Sequence, residues 1–386
     1  MANTKEWKIV FVLKKDMNYS YWELKEWFTN IDFTIVGSGI VGLNCALELI
    51  KIHPRAKIII LEKGMLPQGA STKNAGFACF GSLSELIDDL SSHTEQEVYN
   101  LVENRWKGLQ LLRNNLGDKN IDFQQNKGFE LCDSETFFEE CILKKEDINN
   151  LLKPIFKKDV FSVSDNTFNF KKVHNRYIVN NFEGQIDTGK MAYELLYKVQ
   201  TLGVKILNNI TVENYTEANT NIEITTDKIT FKTTKLFIAT NGFANKLLEE
   251  KVQPARAQVL ITKPIKNLQI KGTFHLDKGY YYFRNIDNRI LLGGGRNLDF
   301  KTEETAEFGQ TALIQNELEN ILKTTILPNT PFEIEHRWSG IMGVGNQKKA
   351  IVKQVSNQVF CGVRLGGMGV AIGSLVGKEL AELIHE

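Results

Sequence analysis

The 386-residue sequence has five cysteines, Cys45, Cys79, Cys132, Cys141 and Cys361, and no CxxC pair among them. An odd number without ligand spacing fits neither a disulfide framework nor a zinc site. Cys45 and Cys361 sit in apolar runs and read as buried small hydrophobes. The six histidines lack metal spacing too, so His275 and His336 read as structural rather than catalytic. Charge of one sign is also missing. With 47 Lys and Arg against 46 Asp and Glu, the net charge of +1 offers no basic surface to a nucleic acid or an anionic membrane. No long apolar run is free of charge: the most apolar window, residues 359–376, carries Arg364 and five glycines, a poor membrane span and a good strand-turn-helix. The opening Met1-Ala2-Asn3-Thr4-Lys5-Glu6 lacks a basic segment followed by an apolar core. A secretory signal is therefore not expected, and the cytoplasm is the default location.

What is present is ordinary globular composition, 42% hydrophobic and 24% charged, in a chain long enough for two domains. Its organising stretch is Asp32-Phe33-Thr34-Ile35-Val36, a β-branched run that ends in Gly37-Ser38-Gly39-Ile40-Val41-Gly42 and passes into apolar residues at helical spacing. This is the strand, turn and helix of a dinucleotide-binding unit. Gly37 permits the turn, Gly39 lets backbone approach a pyrophosphate, and Gly42 lets helix and strand pack closely. The helix N-terminus offers free N–H groups to phosphates. A second apolar run, Ile58-Ile59-Ile60-Leu61, ends in Glu62, which stands 20 residues after Gly42 and is followed by Lys63. An acidic residue at that distance is the expected acceptor for ribose hydroxyls.

Residues 1–30 precede this unit as an accessory extension. Alternation over residues 7–13 suggests a short strand, and Trp22 and Trp27 lie on a helical segment expected to cover a hydrophobic patch. After Glu62, the run Ala70-Ser71-Thr72-Lys73-Asn74-Ala75-Gly76-Phe77 can lay backbone and hydroxyls along a cofactor. Residues 94–180 bring charged helices over 95–112 and 139–152 and a strand at Gly128-Phe129-Glu130-Leu131, the start of an inserted second domain. The nucleotide-binding pattern returns at residue 181, with a helix over 190–202 and a strand over 235–239 ending in Thr240-Asn241-Gly242, where ligands of open α/β sheets sit. Residues 252–336 are strand-rich. A hairpin pairs 280–284 with 289–293 around Asn285-Ile286-Asp287-Asn288, placing Tyr280, Tyr282 and Arg284 on one face. That face either orients a carboxylate or packs at a sheet edge. Finally, a strand over 359–363 enters Arg364-Leu365-Gly366-Gly367-Met368-Gly369-Val370 and a helix to about residue 384.

Assembled, these residues resemble the D-amino-acid oxidase superfamily of FAD-dependent oxidoreductases, the group of glycine oxidase, sarcosine oxidase and gamma-glutamylputrescine oxidase. The motifs that carry the resemblance are the Gly37 fingerprint with Glu62, the 70–76 loop, Gly184-Gln185-Ile186-Asp187, Ala239-Thr240-Asn241-Gly242, Arg256-x-Gln258, Tyr282-Phe283-Arg284, Arg337-Trp338-Ser339-Gly340 and Gly366-Gly367-Met368-Gly369. The resemblance covers residues 31–386. It implies an α/β fold in which a Rossmann-like FAD-binding domain (31–93, 181–251 and 337–386) is interrupted by an antiparallel-sheet substrate domain (94–180 and 252–336). It places the pyrophosphate over Gly37, Ser38, Gly39, Ile40, Val41 and Gly42, the ribose at Glu62, and the adenine near the main chain of Val212. Ser71 to Gly76 would run along the ribityl chain and flavin, and the helix after Gly367 would lie beneath the pyrimidine ring. Two departures stand out: Met342 or a neighbour replaces the cysteine of covalent members with no His after Gly42, so FAD is expected to be noncovalent. Met368 stands where many relatives have histidine.

The expected activity is oxidation of the C–N bond of an amine or amino acid by hydride transfer to the flavin, with the imine then hydrolysed and O2 or another acceptor reoxidising the cofactor. Arg364 and Arg284, with Tyr282 beside them, are the expected anchors for an anionic substrate group. A 2-hydroxy-acid dehydrogenase, a tRNA-modifying oxidase module and a flavin-binding partner subunit without turnover are the alternatives.

Overall fold

Five parallel strands support the site, in the spatial order Lys205–Leu207, Ile58–Leu61, Ile31–Val36, the second half of Ile229–Ile238, and Val359–Val363. The structure, a computed structural model, describes residues 12–13 and 18–385. Ile58–Leu61 and Val359–Val363 are buried at every position, as parallel strands covered on both faces must be. Helices Ile40–Ile52, Thr188–Thr201, Gly369–Glu382 and Glu95–Leu116 cover one face with a core that includes Ile35, Leu43, Leu112, Leu195, Phe237 and Val376. The opposite face carries Ile222, Ile224, Phe231 and Leu236. There the antiparallel strands Val212–Glu217 and Ile222–Thr226 continue the sheet onto the first half of Ile229–Ile238.

The N-terminal helix Tyr21–Phe28 starts in a capping box, in which Ser20 accepts from the Glu23 N–H and the Glu23 carboxylate accepts from the Ser20 N–H. It lays Phe28 on this second core, 5.5 Å from the Phe231 ring, with Trp27 partly buried beside it. Trp22 does not join them: it is 68% exposed. Val12 and Leu13 pair with Thr230 and Ile229, while the rest of the strand expected over 7–13 lies outside the described residues.

The second sheet runs Ile334–Val344, Gln253–Thr262, Arg289–Gly294, Tyr281–Ile286, Thr273–Leu276, Gly128–Leu131, Arg176–Asn180, Phe161–Asp165. It is antiparallel except where Gly128–Leu131 meets Thr273–Leu276 in parallel. Those two strands come from separate insertions, so no hairpin dictates their direction. The expected hairpin forms with a tighter turn: Ile286 pairs with Arg289, and Asp287 and Asn288 take the left-handed conformation that a two-residue turn needs.

Two features run across the expected divisions. Ile334–Val344 lies wholly in the second sheet, although the division was expected between 336 and 337. Helix Glu95–Leu116, expected with the insertion, joins both cores: Val98 and Val102 pack with Phe138 and Phe161 of the insertion, while Leu109, Leu112 and Leu116 join the core of the parallel sheet, where Gly108 lets the helix cross Gly369–Glu382 so closely that a Cβ there would lie 2.3 Å from the Ala371 carbonyl oxygen. Among the described residues no helix is long and apolar enough to cross a membrane, and all five cysteines are buried and free.

Candidate active site

A cavity of about 1090 Å³ opens between the carboxyl ends of the parallel strands and the second sheet. Gly37 takes φ +102°, and a Cβ on it would meet the Ala239 carbonyl oxygen at 2.9 Å. A Cβ on Gly42 would be closer still, 2.0 Å from the Gly37 oxygen, so Gly37 serves the approach of the neighbouring strand end and Gly42 the strand-helix crossing. Gly39 lines the cavity and begins helix Ile40–Ile52 without a side-chain cap. Above it Ser71 Oγ accepts from the Ile40 N–H at 2.9 Å, and it is this hydroxyl that a Cβ on Gly39 would strike. Ile40 and Val41 complete this edge of the cavity.

Glu62 is buried at the next strand end and lines the cavity with Lys63. Its Oε2 accepts from the N–H and hydroxyl of Ser38 at 3.0 and 2.7 Å, and its Oε1 from the Gly64 N–H at 3.0 Å. A fourth, long contact comes from the Gln68 N–H to Oε1 at 3.5 Å, the one a ligand hydroxyl would most easily replace. Ser38 and Gly42 themselves stand behind the wall. In the 70–77 segment, Ala70, Ser71, Lys73, Asn74, Ala75, Gly76 and Phe77 reach the cavity. Thr72 does not; its hydroxyl braces the loop by donating to the Pro67 carbonyl at 2.6 Å. Asn74 braces it again, donating to the Ala70 and Ser71 carbonyls and accepting from the Gly76 N–H.

The remaining strand ends complete the cradle. Val212 lines it with Ile210 and Thr211. Thr240 points a buried hydroxyl that finds no partner among the described residues. Asn241 Oδ1 accepts from the Leu365 N–H at 3.1 Å and ties this strand end to the last turn. Gly242, expected to bind, is instead packed where a Cβ would lie 2.5 Å from the Met342 carbonyl oxygen. In the last turn Gly366, at φ +60°, has open space where a Cβ would be, and Gly367 meets only Met342 Sδ, at 3.9 Å. Met368, Gly369 and Val370 follow at the start of a second helix without a side-chain cap. Two helix N-termini whose own cap residues supply no side-chain oxygen, a glycine turn that any side chain would fill and an orphaned hydroxyl suit a long, anionic dinucleotide.

The opposite wall carries Tyr282, whose ring lies over Gly293 and 5.6 Å from Phe77, edge to face. Burial pushes its phenol up to about 12. Neither of the two expected arginine anchors lines the cavity. Arg284 shares the face of Tyr282 as the alternation requires, but it is 2% exposed and its Nη1 donates to the Ile186 and Gly76 carbonyls at 2.8 and 3.2 Å. It supports the 70–77 loop from below and does not reach the cavity. Arg364 sits in a left-handed conformation, φ +62°, which turns the chain so that Leu365 and Gly366 face the cavity. Its guanidinium turns to the Lys349 carbonyl, 3.0 Å from Nη2.

Two groups on this wall were missed. Gly294 and Gly295, both at positive φ, swing the end of Arg289–Gly294 over the cavity and bring Arg296 to its edge. The guanidinium lies 4.8 Å over the Phe300 ring and has no ion pair among the described residues; burial lowers its pKa. Three glycines followed by an arginine at a strand end were the available signal. His275 is the second, buried in the wall with Nε2 2.7 Å from Glu183 Oε1.

Residues 32–383 match the family described as FAD dependent oxidoreductase, DAO. The chain is 22% identical over 376 residues to the probable oxidoreductase OrdL of Haemophilus influenzae, covering 92% of this chain and 82% of that one. Its fold is shared with L-proline dehydrogenase from P. horikoshii (TM-score 0.72, 19% identity, 92% of this chain and 93% of that one). Glycine oxidase from Geobacillus kaustophilus is equally similar (TM-score 0.72, 19% identity, 92% and 94%). With the matched residues spanning both sheets and the cavity between them, the chain belongs to the DAO family of FAD-dependent oxidoreductases.

Proposed function

We propose that the protein oxidises the C–N bond of an amino acid, with FAD held noncovalently in the glycine cradle. The observation that carries the substrate reading is Arg296: a guanidinium near Tyr280 with no ion pair among the described residues, lining the same cavity as Tyr282 and the Gly366-Gly367 turn. A planar guanidinium grips a carboxylate through two parallel hydrogen bonds, and stacking on Phe300 fixes its plane. In this reading Gly39, Ile40 and Val41 face the pyrophosphate, Glu62 the ribose, Val212 the adenine, and Ser71 to Phe77 with Gly366 to Val370 the flavin end. The parallel sheet with its helices forms the cofactor domain and the second sheet the substrate domain.

Bound FAD supplies a two-electron acceptor for a hydride. The chain supplies position: Arg296 holds the carboxylate, Tyr282 packs against the substrate body, and the buried wall keeps water from the carbon that loses hydride. The imine is hydrolysed after release. Noncovalent attachment agrees with Cys79, the cysteine on the cavity wall, whose thiol burial pushes well above its ordinary range, far from a reactive thiolate.

Acid precipitation of the yellow protein should release intact FAD, and anaerobic mixing with amino acids should bleach it. R296A should raise KM for amino acids by ten-fold or more, by about the 1.5–3 kcal/mol of a charged hydrogen bond, with less change for a simple amine and unchanged FAD content. Bleaching by 2-hydroxy acids alone would replace this reading, and repeating the assay with and without oxygen identifies the acceptor class.

A further inference from the structure

Glu183 is completely buried, yet its Oε2 has no hydrogen-bond partner among the described residues. Its Oε1 accepts from Thr273 Oγ1 at 2.7 Å and meets His275 Nε2 at 2.7 Å. Room has been kept for this carboxylate: a Cβ on Gly128 would lie 2.3 Å from Oε2. A charged oxygen left unsatisfied in the interior is costly, and it persists where the pair it belongs to has a role. His275 lines the cavity and Glu183 does not. The pair therefore stands across the wall as a dipole with its cationic end on the substrate side.

The groups around the imidazole keep it charged. Strand pairing sets His275 between Glu130 and Tyr282, with the Phe77 ring 5.3 Å away. Burial alone would discharge the imidazole, but Glu183, then Glu85 and Glu130, hold its pKa at about 9. Both further carboxylates are held by hydrogen bonds to other groups, and Glu85 also lines the cavity. Glu85 Oε2 accepts from the Ser82 N–H at 2.8 Å, and Glu130 accepts from Ser82 Oγ and the Ser84 N–H while burial raises its pKa toward the neutral form. Tyr282 and Cys79 stay neutral, since burial raises both.

We infer that the His275–Glu183 pair makes the cavity select the uncharged form of the substrate amine. Hydride can leave the carbon only when its nitrogen has a free lone pair to form the C=N bond. An ammonium brought to this wall meets a like charge in a low-dielectric setting, which favours loss of its proton to solvent before oxidation. His275 is thus a positioning residue acting through charge. The inference rests on the amine-oxidation reading above.

The test uses the FAD-loaded full chain. In ¹⁵N NMR, the His275 ring, assigned by its loss in H275Q, should be an imidazolium at pH 8 in the wild type and neutral in E183Q. In stopped-flow reduction by the best amino acid, H275Q should move the substrate ionisation seen in the rate–pH profile upward by about one unit. The rate at neutral pH should then fall about tenfold, recover at high pH and leave FAD content unchanged. A neutral imidazole in the wild type at pH 8 would overturn the inference, as would turnover by H275Q with an unmoved profile. Absence of reduction by every amine would overturn the amine reading and this inference with it, whereas a normal wild-type rate beside an unmoved profile overturns this inference alone.

Discussion

Glu62 holds two kinds of partner at once, the turn that carries Ser38 and Gly64 and the cavity beside it. E62A should therefore lose ligand and fold together: FAD affinity down by roughly ten- to a hundred-fold, from about 1.5–3 kcal/mol per charged hydrogen bond, with a lower melting temperature of the apoprotein. Equilibrium titration and calorimetry on one preparation check both. His275 gives the opposite kind of signature. Its pKa is raised from an ordinary value near 6.5 to about 9, so the stabilisation is complete below about pH 6.5 and lost as pH climbs through about 9. At ~1.36 kcal/mol per unit this is on the order of 3 kcal/mol, so wild-type denaturation midpoints should fall between pH 6.5 and 9 while those of H275Q stay flatter. At this scale the glycines of the first turn were legible in the sequence because their spacing is a backbone requirement. The arginines were not. Alternation correctly put Arg284 on the face of Tyr282, but a side chain's face does not say where a long head group ends, and here two backbone carbonyls claim it.

Helix Gly369–Glu382 comes closest to its two neighbours at glycines. A Cβ on Gly373 would strike Ile40 at 2.5 Å and one on Gly377 the Val41 carbonyl oxygen at 2.6 Å, while on its other flank Gly108 admits Ala371. G108L should thus push helix Glu95–Leu116 outward, cost about 1–3 kcal/mol of overpacking, and displace Gly369 and Val370 from the cavity wall. Reduced FAD content with retained helical circular dichroism is the expected result. Strands and helices were readable from periodicity, including the hairpin whose turn tightened to Asp287-Asn288. The double allegiance of Glu95–Leu116 was not, because an amphipathic pattern fixes a buried face without naming the cores it enters.

The cavity is walled by both sheets, so its ligand couples them. Removing FAD should lower the melting temperature by several degrees, since a ligand at 100 times its Kd contributes about 2.7 kcal/mol. Scanning calorimetry of holoprotein and apoprotein, with and without added FAD, checks it, and a melting temperature indifferent to FAD would detach the cavity from the cofactor. The architecture as a whole was legible from motifs at strand ends. The exact division between sheets was not, because Ile334–Val344 joins the second sheet through pairing with Gln253–Thr262, a contact between distant segments that no local pattern announces.

The parallel sheet also has a history in time. Its first two strands are made early, but the strand that flanks Ile229–Ile238 on the far side, Val359–Val363, is translated more than a hundred residues later, and helix Gly369–Glu382 later still. Until then Leu236, Phe237 and Ile238 have an unpaired flank and helix Ile40–Ile52 lacks its close neighbour. A nascent chain thus carries a half-built sheet with sticky apolar flanks through most of its synthesis, the kind of species chaperones hold. Colour should come last: ribosome-bound chains stalled before residue 359 should take up no flavin, and chains with the final helix clear of the exit tunnel should.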